Sequence, residues 1–368
     1  MDFSTVKTRF LSTLGVLVML SVNHASGRTG AIDAGRVVAT GNMTAVRFDH
    51  AAALLPDGHV LIVGGLERNG LMQSSAEIFD PIAGRFSPAA RMQSQHGWGV
   101  VAVTLPDGRV LIAGGSTGCD SPCYTASAEL YDPAAQRFVL TGAMTVPRAG
   151  ARALSLPTGE VLLVGGVESA DRPAATAELY HPGTGRFSAA GAMHLPDPAQ
   201  LVLLKNGQVL VVGASGTELY DPAANRFTLM SKMAEPRAKF GAAVLPDGSV
   251  LIVGGQTGGA WGPRVTSTQI CDPVTSSCTP GPELNLARFK LAKAVVTLKN
   301  GRILVAGGAE EPEVYDPQTR VFSLVEGARM DGFLFSTATV LKDGSVLMAG
   351  GYARPGAAGV NHAWLYKP

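Results

Sequence analysis

Seven near-copies of one eleven-residue stretch recur along this chain at intervals of about fifty residues, and no other feature limits its possible folds so sharply. They read LPDGHVLIVGG at 55–65, LPDGRVLIAGG at 105–115, LPTGEVLLVGG at 156–166, LKNGQVLVVGA at 204–214, LPDGSVLIVGG at 245–255, LKNGRILVAGG at 298–308 and LKDGSVLMAGG at 341–351. In-phase repetition at such a period means one small unit stacked on its own copies, with a core that closes only when several are present. A single domain is therefore expected over 31–368.

Each unit reads as four short strands. Small and branched apolar residues before the Pro-Asp-Gly, such as 50–55, form strand a. The Asp-Gly, Asn-Gly or Thr-Gly pair supplies the positive-φ positions of a tight turn. Strand b, 60–63 in the first unit, is apolar at successive positions, so both its faces need covering. Strand c carries Ala-Glu-x-Tyr-Asp-Pro, at 76–81, 128–133 and, with His181 for Asp, 177–182; the Pro ends it. Strand d begins Arg-Phe and runs on to a Met. Four antiparallel strands, repeated seven times, predict an all-β, seven-bladed β-propeller. The last unit lacks strand d, while 35–43 matches 185–193, so the N-terminal strand is predicted to complete the seventh blade and remove a free edge.

With Gly-Gly after strand b, a Tyr-Asp-Pro-like element in c and an aromatic in d, the chain resembles the kelch-repeat family from about residue 31 to the end. Phe86, Phe138, Phe187, Phe227 and Phe322 stand where that family usually has Trp. The aromatic of c and the Phe of d lie seven residues apart, and in the fifth unit these two positions are Cys271 and Cys278. A disulfide is predicted there, in place of an aromatic contact across the hairpin. Cys119 and Cys123 then remain to pair with each other. The competing four-Cys metal site is disfavoured, since the two pairs stand three blades apart.

Lys7 and Arg9, an apolar run over 11–22 and small residues around 25–27 have the layout of a secretory signal peptide, expected over 1–27. The run is short for a bilayer span. The mature chain is expected to be secreted or periplasmic, monomeric and without a membrane span. A formal net charge of +1 gives no sign of a nucleic-acid partner.

In this strand order the a–b and c–d turns share one face and the b–c and d–a loops the other. The first face carries the recurrent Asp-Gly and Asp-Pro turns and reads as scaffold. On the second, the b–c loops are long in blades 1, 2, 3, 5 and 7 and short in blades 4 and 6. Four residues after the Met position, the d–a segments present Arg47, His96, Arg148, Asp197, Arg237, Arg288 and Leu334. His50, Trp98, Lys239 and Lys290 lie close by, and Tyr124, Trp261 and Tyr352 are loop aromatics. Arginines converging on a central opening would hold a small anion, a glycan or an acidic peptide. In kelch repeats, however, an Arg at this place commonly bonds loop carbonyls of the adjacent blade, and both roles stay open. The recurring Glu77, Glu129, Glu178, Glu218 and Glu313 read as scaffold.

An anion-binding role is the leading expectation, without metal or cofactor. A galactose-oxidase-like copper-radical site would need a crosslinked Tyr–Cys pair, a second Tyr, two His and a further domain, whereas the cysteines here are expected in disulfides. The Glu-x-x-x-Asp-x-x-x-His run of the plant specifier proteins is absent. A metal-free sugar-acid epimerase or mutarotase, as the kelch resemblance allows, would need a base; Asp49, Asp197, Glu168 and Glu310 are the candidates. The histidines show no paired spacing, so only the fold could gather His50, His96, His194 and His362 around a metal. No Gly-rich loop opens a helix, which argues against a nucleotide site.

Overall fold

Strand b is the spine of every blade because its residues have no polar alternative. Val60–Val63, Val110–Ala113 and Val161–Val164 are buried along their whole length, as are the corresponding strands further on. Strands a and c flank it by hydrogen bonds, and its two faces are covered by the adjoining blades. The computed structural model describes residues 33–67, 70–118, 123–169, 172–259, 262–331, 333–353 and 358–368. The expected signal peptide, Cys119 and Trp261 lie outside the described residues.

Blade 1 comprises strands Ala51–Leu54, Val60–Val63, Ala76–Asp80 and Arg85–Pro88, in spatial order a-b-c-d. Six more antiparallel sheets follow the same order, giving the predicted seven-bladed β-propeller, and no helix occurs among the described residues. Strand a of each blade meets strand a of the next, so these strands form the innermost ring. Two small hairpins decorate the loop face: Ser116–Thr117 with Cys123–Tyr124 in blade 2, and Val167–Ser169 with Arg172–Pro173 in blade 3.

Ring closure follows the expectation. Arg36–Ala39 pairs antiparallel with Ala363–Lys367, with Val37 opposite Tyr366 and Val38 opposite Leu365. The N-terminal strand thus serves as strand d of blade 7, and Glu326–Gly327 of blade 6 adds a short parallel pairing at its outer edge.

The seven-residue spacing of aromatics also becomes contact. Phe79 and Phe86, Tyr131 and Phe138, and Tyr180 and Phe187 pair directly across c–d hairpins, each with ring centroids 4.8 Å apart. In blade 5 the same register places Cys271 opposite Cys278, joined by a disulfide. Cys123 is also disulfide-bonded.

Replacing Cys271 and Cys278 together by Ser is expected to lower stability by about 2 kcal/mol, through the lost crosslink and the smaller apolar contact. Replacing them by Tyr and Phe, the pair used in blade 3, should recover more than half of that loss, measured as the denaturation midpoint of each variant.

Candidate ligand site

The arginines expected to ring the opening point into the protein. Arg47 is fully buried; its Nε donates to Glu77 Oε1 at 3.0 Å, and Nη1 donates to the carbonyls of Gly64 and Ser75. Arg148 repeats this with Glu178, Gly165 and Thr176, and Arg288 with Glu313, Gly307 and Glu311. Arg237 meets the carbonyls of Gly254 and Ser267 but pairs with Glu235, because strand c of blade 5 carries Gln269 instead of Glu. His96 fills the place in blade 2, with Nδ1 on Gly114 O at 2.7 Å and Nε2 3.5 Å from Glu129. Of the two roles open to these arginines, the structure places them in the internal one.

The strand-c carboxylates explain why. Each accepts two backbone N–H groups from the d–a linker: Thr44 and Ala45 on Glu77, Gln93 and Ser94 on Glu129, Thr145 and Val146 on Glu178. A carboxylate buried this deeply needs cationic or N–H partners on its oxygens, and the Arg completes the set. In blade 4, Glu218 takes the His194 and Leu195 N–H groups and the His194 ring. Asp197 stands in the Arg place there, with one buried oxygen lacking a hydrogen-bond partner and its pKa raised by burial.

Blade 7 corrects the register read from sequence. Leu334 bridges Tyr352 as Phe48 bridges Leu66 and Ala238 bridges Gln256. Gly308 N–H donates to Phe333 O just as Gly351 N–H donates to Arg47 O. Phe333, not Leu334, therefore takes the arginine's place, because this linker is one residue shorter after Met330.

Two residues beyond the clamp the chain turns left-handed at the mouth. Asp49 (φ 53°), Lys239 (φ 58°), Lys290 (φ 60°) and Phe335 (φ 57°) adopt this conformation, with Gly150 in blade 3 and, three residues beyond His96, Gly99 in blade 2. The four remaining non-Gly cases, Gln136, Asn225, Ser276 and Arg320, lie in c–d turns on the opposite face. A side chain in this region costs about 1 kcal/mol relative to Gly, so side chains kept there on blades 5, 6, 7 and 1 mark the mouth as a place where they matter.

These residues assemble a cationic and aromatic crescent. The Lys290 Nζ lies 4.5 Å from the Phe335 ring centroid, 4.9 Å from that of Tyr352 and 5.2 Å from that of Phe289, and it donates to the Tyr352 hydroxyl. Arg264 stacks on Phe289 at 4.3 Å, while Phe48 meets Tyr352 edge-on at 5.3 Å. Lys239 Nζ donates to Gln256 Oε1 at 2.8 Å. Burial and the neighbouring Lys239 and Arg264 lower the Lys290 pKa to about 8, with Asp49 opposing them. Burial raises the Tyr352 hydroxyl, which therefore keeps its proton.

Below the mouth, blade 6 enters the axis late. Residues 291–294 form a turn before strand a begins at Val295, and this turn sends Lys293 across the ring. Its Nζ donates to Asp49 Oδ1 at 3.2 Å and to the carbonyls of His50 and Val100 at 2.9 and 3.1 Å. Asp49 is thereby committed to Lys293. Lys293 and Arg152 line a central cavity of about 260 Å³ otherwise walled by strand a residues such as Ala102, Val295 and Thr339. Arg152 is held by the carbonyls of Ala199, Gly150 and Ala151.

His50 is buried beside this wall, its Nε2 3.0 Å from Thr337 Oγ1, and burial with Lys293 and Arg47 keeps it neutral. Trp98 and Tyr124 form a half-buried aromatic pair 6.1 Å apart on blade 2. Of the expected site residues, Lys239 belongs to the crescent. Lys290 and Tyr352 were visible as neighbours, whereas Phe289, Phe335, Arg264, Lys293 and Arg152 gave no individual signal. A usable clue existed: Arg-Phe-Asp at 47–49, Arg-Ala-Gly at 148–150, Arg-Ala-Lys at 237–239 and Arg-Phe-Lys at 288–290 share one column in which Gly alternates with charged residues.

No family model matches this chain, and no curated protein matches it. Among solved structures, it is similar to a fungal alcohol oxidase of the AA5 family in complex with copper, with a TM-score of 0.71 at 17% identity, over 91% of this chain and 76% of that one. The likeness is one of fold. A copper site would need several donors on one point, yet His96, His181, His194 and His362 each meet an acid of their own, Glu129, Glu160, Glu218 and Asp331. No group of three His, Cys, Asp or Glu able to hold a metal occurs among the described residues.

Arg148→Ala is expected to cost about 3–5 kcal/mol, because it leaves Glu178 buried without its cation; Lys290→Met, which removes a charge that burial disfavours, should be neutral or stabilising at neutral pH. Lys290 holds its proton less tightly folded than unfolded. Between about 8 and the ordinary lysine value of 10.5 the unfolded chain therefore binds more protons, and stability rises with pH. Chemical denaturation across that interval should show a smaller rise for Lys290→Met than for the parent chain.

Proposed function

We propose that this chain is an exported kelch-type propeller whose b–c and d–a loop face binds a carboxylate-bearing small molecule, or the acidic end of a glycan or peptide. The observation carrying this reading is the half-buried Lys290 ammonium, set over three aromatic rings and beside Lys239 and Arg264, with no carboxylate partner among the described residues. Several cations gathered at one mouth favour an incoming anion, and aromatic walls suit the apolar face of a sugar or short side chain. Asp49 would be the local acid, but Lys293 engages it from below. Binding is therefore favoured over sugar-acid isomerisation, for which a free base beside the cations would be wanted.

The Cys271–Cys278 disulfide supports an oxidising compartment, which accords with secretion or a periplasmic location. The kelch assignment rests on the Gly-Gly, Tyr-Asp-Pro and Arg-Phe elements, together with the blade-internal Arg–Glu pairs they frame.

Melting-temperature shifts with N-acetylneuraminate, glucuronate and glucose should separate acids from the neutral sugar. Stabilisation is expected from the acids, weakening with added salt. Arg264→Ala and Lys290→Ala should each lower affinity by roughly tenfold, the equivalent of one lost charge-assisted contact. Equal stabilisation by glucose, or acid binding indifferent to both substitutions, would rule the site out.

A further inference from the structure

Lys290 is built for more than charge. Its amine sits at the end of a side chain held by three rings, with a hydroxyl on the nitrogen and two further cations close by. We infer that Lys290 Nζ captures the carbonyl carbon of a 2-oxo acid as an imine, with the acid's carboxylate lying against Lys239 and Arg264. This rests on the anion-binding reading of the same site and names its substrate class. A 2-oxo acid places its carbonyl carbon next to its carboxylate, so the anchoring cations and the attacking amine must be neighbours, as they are here.

The chemistry balances without a further reactant. The neutral amine's lone pair forms the C–N bond while the carbonyl π pair moves to oxygen. Tyr352 Oη–H supplies a proton to that oxygen and recovers one from nitrogen; water then leaves and the C=N bond forms. The groups facing Nζ are Lys239 and Arg264, which favour the neutral amine, Asp49, which opposes them, and Tyr352, which stays protonated. Asp49 is itself shared with Lys293. At mildly alkaline pH a large share of Lys290 is therefore nucleophilic, unlike an ordinary surface lysine.

The test incubates the full chain with pyruvate and cyanoborohydride, followed by peptide mapping. One adduct is expected on Lys290, with the mass of pyruvate less water plus two hydrogens. Its formation should rise as pH passes about 8. Lys290→Arg should lose the adduct while keeping its fold, checked by its melting curve, and Tyr352→Phe should slow formation by about a hundredfold. Lactate, which carries the carboxylate but no carbonyl, distinguishes the two failures. If lactate and pyruvate both stabilise the protein but no adduct forms, or adducts spread over exposed lysines such as Lys232 and Lys299, the imine is refuted and the anion site stands. If neither acid shifts the melting temperature, the anion site fails and the imine with it.

Discussion

A buried carboxylate on strand c holds most of this ring in register. Its oxygens accept two N–H groups from the incoming linker and, in blades 1, 3 and 6, a guanidinium from that same linker. The guanidinium in turn satisfies the carbonyl of the first Gly after strand b and one further carbonyl of the b–c loop. Burying such a pair gains little energy over an apolar contact of equal volume. What it gains is geometry, since three segments distant in sequence meet at one point with few unsatisfied polar groups.

That geometry reaches the mouth. The clamped arginine lies two residues before the left-handed position, so fixing Arg47, Arg237 and Arg288 fixes where Asp49, Lys239 and Lys290 emerge. A rigid base lets like charges be held together that would otherwise swing apart into solvent, so the proposed binding surface would be largely formed in advance of a ligand. Gly150 at the equivalent position of blade 3, and Gly99 one residue later in blade 2, bring no side chain to that side, where Trp98 and Tyr124 pair instead. The mouth is consequently asymmetric although the scaffold is repetitive.

Much of this was legible in the repeats. Hydrophobic period, turn pairs and the matching of 35–43 to 185–193 specify strands, blade number and ring closure, because each is a local rule applied seven times. Replacement of an aromatic pair by Cys271 and Cys278 at an unchanged spacing was readable for the same reason. The arginines were harder, since a guanidinium serves equally to bind a ligand or to satisfy buried carbonyls, and only burial separates the two. Leu334 falls one residue beyond the arginine's place, because counting four residues from Met330 assumes a linker length that blade 7 does not keep.

The sequence alone determined the number of blades, the order of strands within them and the residue pairs that meet across each hairpin, since all of these follow from periodicity and short-range turn chemistry. Tertiary structure decided which cations are spent inside and which remain at the mouth. It brought Lys290, Phe289, Tyr352, Phe335 and Arg264 into one cluster from separate segments of the chain and sent Lys293 across the axis to Asp49. Such proximity depends on how seven blades close around a common centre, a relation no local pattern encodes.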